Sequence, residues 1–175
     1  MNKLSVAKVV AVLMIAVFAF VAFVPAAQAA PKGDTIVDVA LAANAATGEF
    51  SILIAALQAA DPSVIQTLDG NGQFTVFAPT DAAFLSLLDE LGLTAGEVLG
   101  NQALVTNVLL YHVARGYRDS GTVLESSRIR TLERGFLFQD GGVLTDANGR
   151  TANIIATDIT ASNGVIHVID RVVLP

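Results

Sequence analysis

Helical periodicity fills this chain as far as Leu110 and is gone after Tyr111, and that change of texture limits the folds open to it. Ile36, Val39, Ala40 and Ala43 fall at helical spacing behind a cap at Asp34 or Thr35, and Phe50, Leu53, Ile54 and Leu57 repeat the period toward Ala60. Asp61-Pro62 ends that helix and can open another turn, because proline is tolerated at a first helical position. Thr80 can cap a further helix over 81–91, striped by Phe84, Leu87, Leu88 and Leu91, with Asp81 at the positive end of its dipole. Thr94-x-x-Glu97 has the spacing of a capping box and predicts a short helix. Leu104, Val105, Val108 and Leu109 stripe a last one over 101–110.

One strand interrupts this series. Asp69-Gly70-Asn71-Gly72 is a strong turn signal, and the β-branched and aromatic run 74–78 follows it until Pro79. Beyond Tyr111 the turns come every few residues, among them Asp119-Ser120-Gly121, Arg134-Gly135, Asp140-Gly141-Gly142 and Asp146-Ala147-Asn148-Gly149. The runs between them predict strands over 121–124, 127–131, 136–139, 143–146, 153–158 and 164–170. Helices first and strands later within one unit argue for an α+β domain.

The first thirty residues stand apart from this domain. Lys3 and Lys8 precede an unbroken apolar stretch over 9–24, and Pro25 and a small-residue run with Ala27-x-Ala29 follow. That order is the one of a secretory signal, with residues 1–29 removed and 30–34 a short linker. The alternative is a retained anchor, against which the stretch falls short of the roughly 20 residues that span a bilayer. Lys3 and Lys8 belong to this segment, which holds no acid. The remaining chain therefore carries 8 basic and 16 acidic residues, a formal charge of −8. Such a surface repels nucleic-acid phosphate and anionic headgroups, and Arg128, Arg130 and Arg134 are diluted by Glu125 and Glu133. With no cysteine, thiol catalysis and thiolate metal sites are excluded.

Three segments go beyond pattern. Phe74-Thr-Val-Phe-Ala-Pro-Thr-Asp-Ala-Ala-Phe84, Tyr111-His112 and Asn163-Gly-Val-Ile-His-Val-Ile-Asp170 occur in an order that resembles the fasciclin-like domain family, and the likeness extends over 35–175. In the first, Phe77 and Phe84 bracket a strand-to-helix turn and are expected to pack on one shared core. In the second, Asn163-Gly164 reads as a tight turn before a strand apolar on both faces, hence central to its sheet.

The resemblance implies a fasciclin-like wedge: a twisted β-sandwich-like core with helices clustered on one side. It also implies extracellular adhesion to proteins or glycans without a cofactor. Animal matrix members of the family carry two short sites associated with integrin binding, and these fall here on Asp158-Ile159 and Tyr111-His112. The chain has neither an Arg-Gly-Asp tripeptide nor an N-x-S/T sequon.

Each candidate residue also has an ordinary reading. His112 and His167, the two histidines, suit metal ligation or general base chemistry, or else are core histidines satisfied by backbone. A zinc site would require His112, His167 and an acid such as Asp158 to converge. There is no G-x-S-x-G elbow, and Asp69-Gly-Asn71-Gly-Gln73 lacks the terminal acid of a calcium loop. Asp158-Ile159 stands open between an exposed binding step and a strand-end turn, and Tyr111 between a core aromatic and a contact.

The expectation is a secreted, extracellular or periplasmic module that binds cell-surface or matrix proteins or glycans at Asp158, Ile159, Tyr111 and His112. It is expected to be no enzyme, to use no cofactor or metal, and to have neither nucleic-acid partners nor a stable membrane insertion after cleavage. The alternative is a carrier of a small apolar or lipid-like ligand.

Overall fold

The structure is a computed structural model and describes residues 33–175. The expected signal segment over 1–29 lies outside them.

Thr35 caps α1 (Ile36–Thr47) in a reciprocal box: its hydroxyl accepts from the Asp38 N–H, while the Asp38 carboxylate accepts from the Thr35 N–H. After Gly48, left-handed at φ 74°, come α2 (Ser51–Ala59) and α3 (Pro62–Leu68), with Pro62 in the first turn. β1 (Phe74–Pro79) ends at the proline, and Thr80 caps α4 (Asp81–Leu91) through the Ala83 N–H. Thr94 and Glu97 form the expected capping box of α5 (Ala95–Leu99), and α6 (Gln102–Tyr111) follows.

The β half starts earlier than expected, at β2 (Val113–Arg115). The strand expected over 121–124 is instead a short helix, α7 (Ser120–Glu125), because Asp119 accepts from the Thr122 N–H and starts a helical turn. Then come β3 (Arg128–Arg130), β4 (Phe136–Asp140), β5 (Val143–Thr145), β6 (Thr151–Ala161) and β7 (Gly164–Ile169).

The strands form one seven-stranded sheet in the order β2-β1-β7-β6-β5-β4-β3. Long β6 serves both halves, pairing with β5 at its start and with β7 beyond. The sheet curls until its two edges nearly meet. Ala114 bridges Thr131, and the Leu132 N–H donates to the Val113 carbonyl at 2.7 Å.

The described residues form two cores, not one. Alternate residues of β1 and β7 point to opposite sides. Phe74, Val76, Ala78, Ile166 and Val168 meet the helices, in the same core as Phe84. Phe77 and Ile169 turn into the curled sheet, where every strand contributes a buried side chain, from Ala114 on β2 to Leu137 on β4. The expected shared core of Phe77 and Phe84 is therefore corrected: the two rings lie on opposite sides of β1. β7 lies between β1 and β6, buried on both faces, as its apolar pattern requires.

The tight turn before β7 centres on Ser162 and Asn163, since Ala161 already pairs with Gly164. Gly164 is needed for closeness: a Cβ there would run into the Phe74 carbonyl. Buried Asn163 joins three segments, accepting from the Ile36 N–H at 2.9 Å and donating to the carbonyls of Leu68 and Gly70.

Candidate functional site

Tyr111 ends α6, and its ring fills the interior of the curled sheet with no exposed surface. Its hydroxyl donates to the Phe136 carbonyl at 2.7 Å and accepts from the Ala147 N–H at 3.2 Å. Burial pushes that hydroxyl above its ordinary pKa. Gly135 lies against the ring, where an added Cβ would stand 2.7 Å from Cε2.

His112 faces the other way, toward the helical core. A carbonyl can only accept and an amide N–H can only donate, so its contacts define its tautomer. Nδ1–H donates to the Val108 carbonyl at 2.7 Å, and Nε2 accepts from the Val173 N–H at 3.3 Å. Burial drives the ring down to about 4, only partly opposed by its bond to Val108 and by the Asp146 carboxylate. Asp146, which the sequence presents only as a turn residue, is itself buried. It accepts from the Asn148, Arg150 and Leu174 N–H groups and so anchors the C-terminal segment.

Asp158 lies inside β6, not at a strand end. Ala156 pairs with Val168 and Ile159 with Ile166, so Thr157 and Asp158 together oppose the single residue His167. This bulge places Asp158 at φ 61°, a left-handed conformation that aspartate tolerates better than most residues. The side chain is exposed, yet both oxygens are engaged: Oδ1 accepts from the Ser120 N–H at 2.8 Å and Oδ2 from the Ser120 hydroxyl at 2.6 Å. Ser120 opens α7, so the carboxylate satisfies an N–H that the helix leaves unpaired. The same bonds hold the Asp158 carboxyl below its ordinary range. Ile159, half-buried, packs on the helical core.

His167, fully buried, stacks on Phe77 with ring centroids 5.7 Å apart. Its Nδ1 accepts from the Asp158 N–H at 3.4 Å and its Nε2–H donates to the Arg118 carbonyl at 2.8 Å. Thr75 on β1 completes the attachment: its hydroxyl accepts from the Arg118 N–H at 2.9 Å and donates to the Gly116 carbonyl at 2.8 Å. Two buried polar residues, one on β1 and one on β7, thus hold the loop before α7 by the N–H and the carbonyl of a single residue, Arg118. Sequence reasoning missed Thr75 and Arg118, because nothing local marks a bond across more than forty residues.

The four expected binding residues fall into two groups. Asp158 and Ile159 sit on the bulged strand at the surface. Tyr111 and His112 are interior ties, covered by β4 and by the C-terminal segment. The two histidines do not join Asp158 in a zinc geometry. All four of their ring nitrogens meet backbone, and among the described residues no three His, Cys, Asp or Glu side chains gather as a metal site would need. An apolar cleft of about 100 Å³ opens between α2, α4, α5 and α6, with Phe84, Leu87, Val105 and Leu109 in its wall and half-exposed Leu91 and Leu104 among its lining. Among the described residues no single helix is long and apolar enough to cross a membrane.

Comparison with known proteins gives a consistent picture. The Fasciclin domain model matches residues 48–175. The chain is 39% identical over 145 residues to Protein sll1483 of Synechocystis sp., a match covering 81% of this chain and 73% of that protein. It is 31% identical over 154 residues to Immunogenic protein MPT70 of Mycobacterium tuberculosis, covering 86% and 76% respectively. It is 35% identical over 146 residues to Transforming growth factor-beta-induced protein ig-h3 of Sus scrofa, covering 83% of this chain and only 20% of that much longer protein. Among solved structures, a FAS1 domain pair from the insect cell adhesion molecule Fasciclin I superposes with a TM-score of 0.55 over 67% of this chain and 42% of that one. At 20% identity the likeness is one of fold.

Proposed function

The chain belongs to the fasciclin domain family, and from that membership we propose that it is a secreted, non-catalytic adhesion module that binds cell-surface or matrix proteins or glycans through its outer surface. The observation that carries this reading is the condition of its two histidines. Both imidazoles are buried and have both nitrogens bonded to backbone, which leaves neither free to move a proton to or from a substrate. Recognition then belongs to the exterior.

Of the expected contact residues, Asp158 and Ile159 are the ones a partner can reach, at the bulge beside the start of α7. Tyr111 and His112 serve that surface from within, by holding α6 to β4 and to the C-terminal segment. Asp158→Asn tests the contact. Asparagine tolerates the left-handed backbone and can still accept from the Ser120 N–H, while the charge and the second acceptor that takes the Ser120 hydroxyl are lost. Reduced attachment to a cell or matrix surface, measured at a temperature where wild type and variant are both fully folded, supports Asp158 as a contact. Unchanged attachment removes it from the site, and wild-type protein that attaches to no cell or matrix surface overturns the adhesion reading itself.

The apolar cleft supports a second reading, carriage of a small uncharged apolar molecule, since dry cavities of this order take such ligands. Native mass spectrometry of protein purified from its source distinguishes the two. A carrier retains a bound mass that an adhesion module lacks.

A further inference from the structure

Four of the seven arginines of this acidic chain surround one cavity of about 390 Å³. Arg115 closes β2, Arg118 stands in the loop before α7, Arg130 closes β3, and Arg134 occupies the turn between β3 and β4. The Ala114–Thr131 bridge that nearly closes the sheet brings these distant segments together. No acid lines the cavity, and among the described residues none of the four is in an ion pair. The two glutamates that dilute this stretch in the sequence do not neutralise it in space. Glu125 is not part of the cavity wall, and the Glu133 carboxylate turns back to accept from the Gly135 N–H at 3.0 Å. The contrast is Arg150, whose two terminal nitrogens hold both oxygens of Glu90 at 2.8 and 2.6 Å.

Two further observations point the same way. Arg118 is held by its N–H and its carbonyl through buried Thr75 and His167, and its Nε, like that of Arg150, is buried with no hydrogen-bond partner among the described residues. Arg134 occupies a left-handed backbone at φ 86°, where glycine or asparagine would be relaxed. Four like charges held together, one on a fixed loop and one on a strained turn, repel one another unless an anion sits among them. The guanidinium fork suits planar or tetrahedral oxyanions.

We propose that the cavity at the closing seam of the sheet is a binding site for a compact oxyanion group, a sulfate or phosphate, held by Arg115, Arg118, Arg130 and Arg134. Extended polyanions such as nucleic acid are disfavoured by the overall negative charge, whereas one compact group fits a local pocket. This site stands apart from the adhesion reading, and its test involves no attachment.

Protein purified after expression of the full chain is titrated with sodium sulfate, sodium phosphate and a sulfated disaccharide, each against sodium chloride at matched ionic strength. Arginine Nε–Hε resonances and the thermal midpoint are followed. At least one of the oxyanions should shift the Arg118 resonance saturably and raise the midpoint, while chloride does neither. Arg118→Gln should weaken binding roughly tenfold. Arg134→Gly relaxes the turn, so it should keep or raise the ligand-free midpoint while weakening binding several-fold. Tighter binding of the disaccharide than of inorganic sulfate identifies a sulfated glycan as the source, and preference for phosphate identifies a phosphate group or ion. Absence of any saturable shift beyond chloride, or binding unaltered in Arg134→Gly, overturns the proposal.

Discussion

The Nε2–H of His167 donates to the Arg118 carbonyl at 2.8 Å, so a ring with no exposed surface sets the path of a surface loop. The Thr75 hydroxyl takes the N–H of the same residue, and together they make the loop an extension of the central strands. Replacing either residue by an apolar shape-mimic strands buried backbone groups. His167→Phe and Thr75→Val should each cost about 1–3 kcal/mol in urea unfolding, with faster hydrogen exchange at the Arg118 amide in Thr75→Val. A change under about 0.5 kcal/mol, the usual range for surface substitutions, would show that the loop is held by something else.

His112 makes stability depend on pH in a definite direction. Its folded pKa, about 4, lies below the ordinary 6.5, so the unfolded chain binds a proton between these values that the folded chain refuses. Stability from this group is complete above 6.5 and is lost as pH falls toward 4, by roughly 3 kcal/mol at most. His112→Gln cannot titrate. The difference in urea midpoint between wild type and variant should therefore vary with pH across that window and flatten above it. A constant difference from pH 4 to 7 would refute the buried neutral ring.

The Tyr111 hydroxyl joins β4 to the turn before β6. Tyr111→Phe leaves the Ala147 N–H and the Phe136 carbonyl without it and should cost about 1–2 kcal/mol. Gly135→Ala should cost about 1–3 kcal/mol through overpacking against the same ring. Equal stability of wild type and Gly135→Ala in chemical denaturation would mean that the ring has room to move.

At Asp158 the backbone and the carboxylate can be separated. Asp158→Gly removes the carboxylate but suits φ 61°, whereas Asp158→Ala removes it and adds backbone strain. Thermal midpoints should fall in the order wild type, Gly, Ala. Because the carboxylate is favoured in the folded state, its contribution is present at neutral pH and is lost only as pH falls through a pKa below the usual carboxylate range. An alanine variant as stable as the glycine one would argue that the bulge relaxes.

Much of this was legible locally. Thr35, Thr80 and Thr94 cap where their spacing to the next N–H groups says they must, because a cap is settled within four residues. The apolar run from Gly164 to Ile169 announced a strand covered on both faces. The candidate site was legible as residues but not as an arrangement. Asp158-Ile159 could be picked out, yet the bulge, the left-handed backbone and the bond to Ser120 depend on which strand lies opposite. α7 was read as a strand because one and a half turns with a single buried residue, Val123, show no period.

The sequence alone determined the kind of each long element and where most of them start and stop, since caps, turns and periodicity are decided by neighbours along the chain. Only the tertiary structure separated Phe77 from Phe84 into different cores, enclosed both histidines and gathered four arginines at one seam. Those outcomes depend on strand order and on the curl of the sheet, which join residues tens of positions apart and leave no trace in any local pattern.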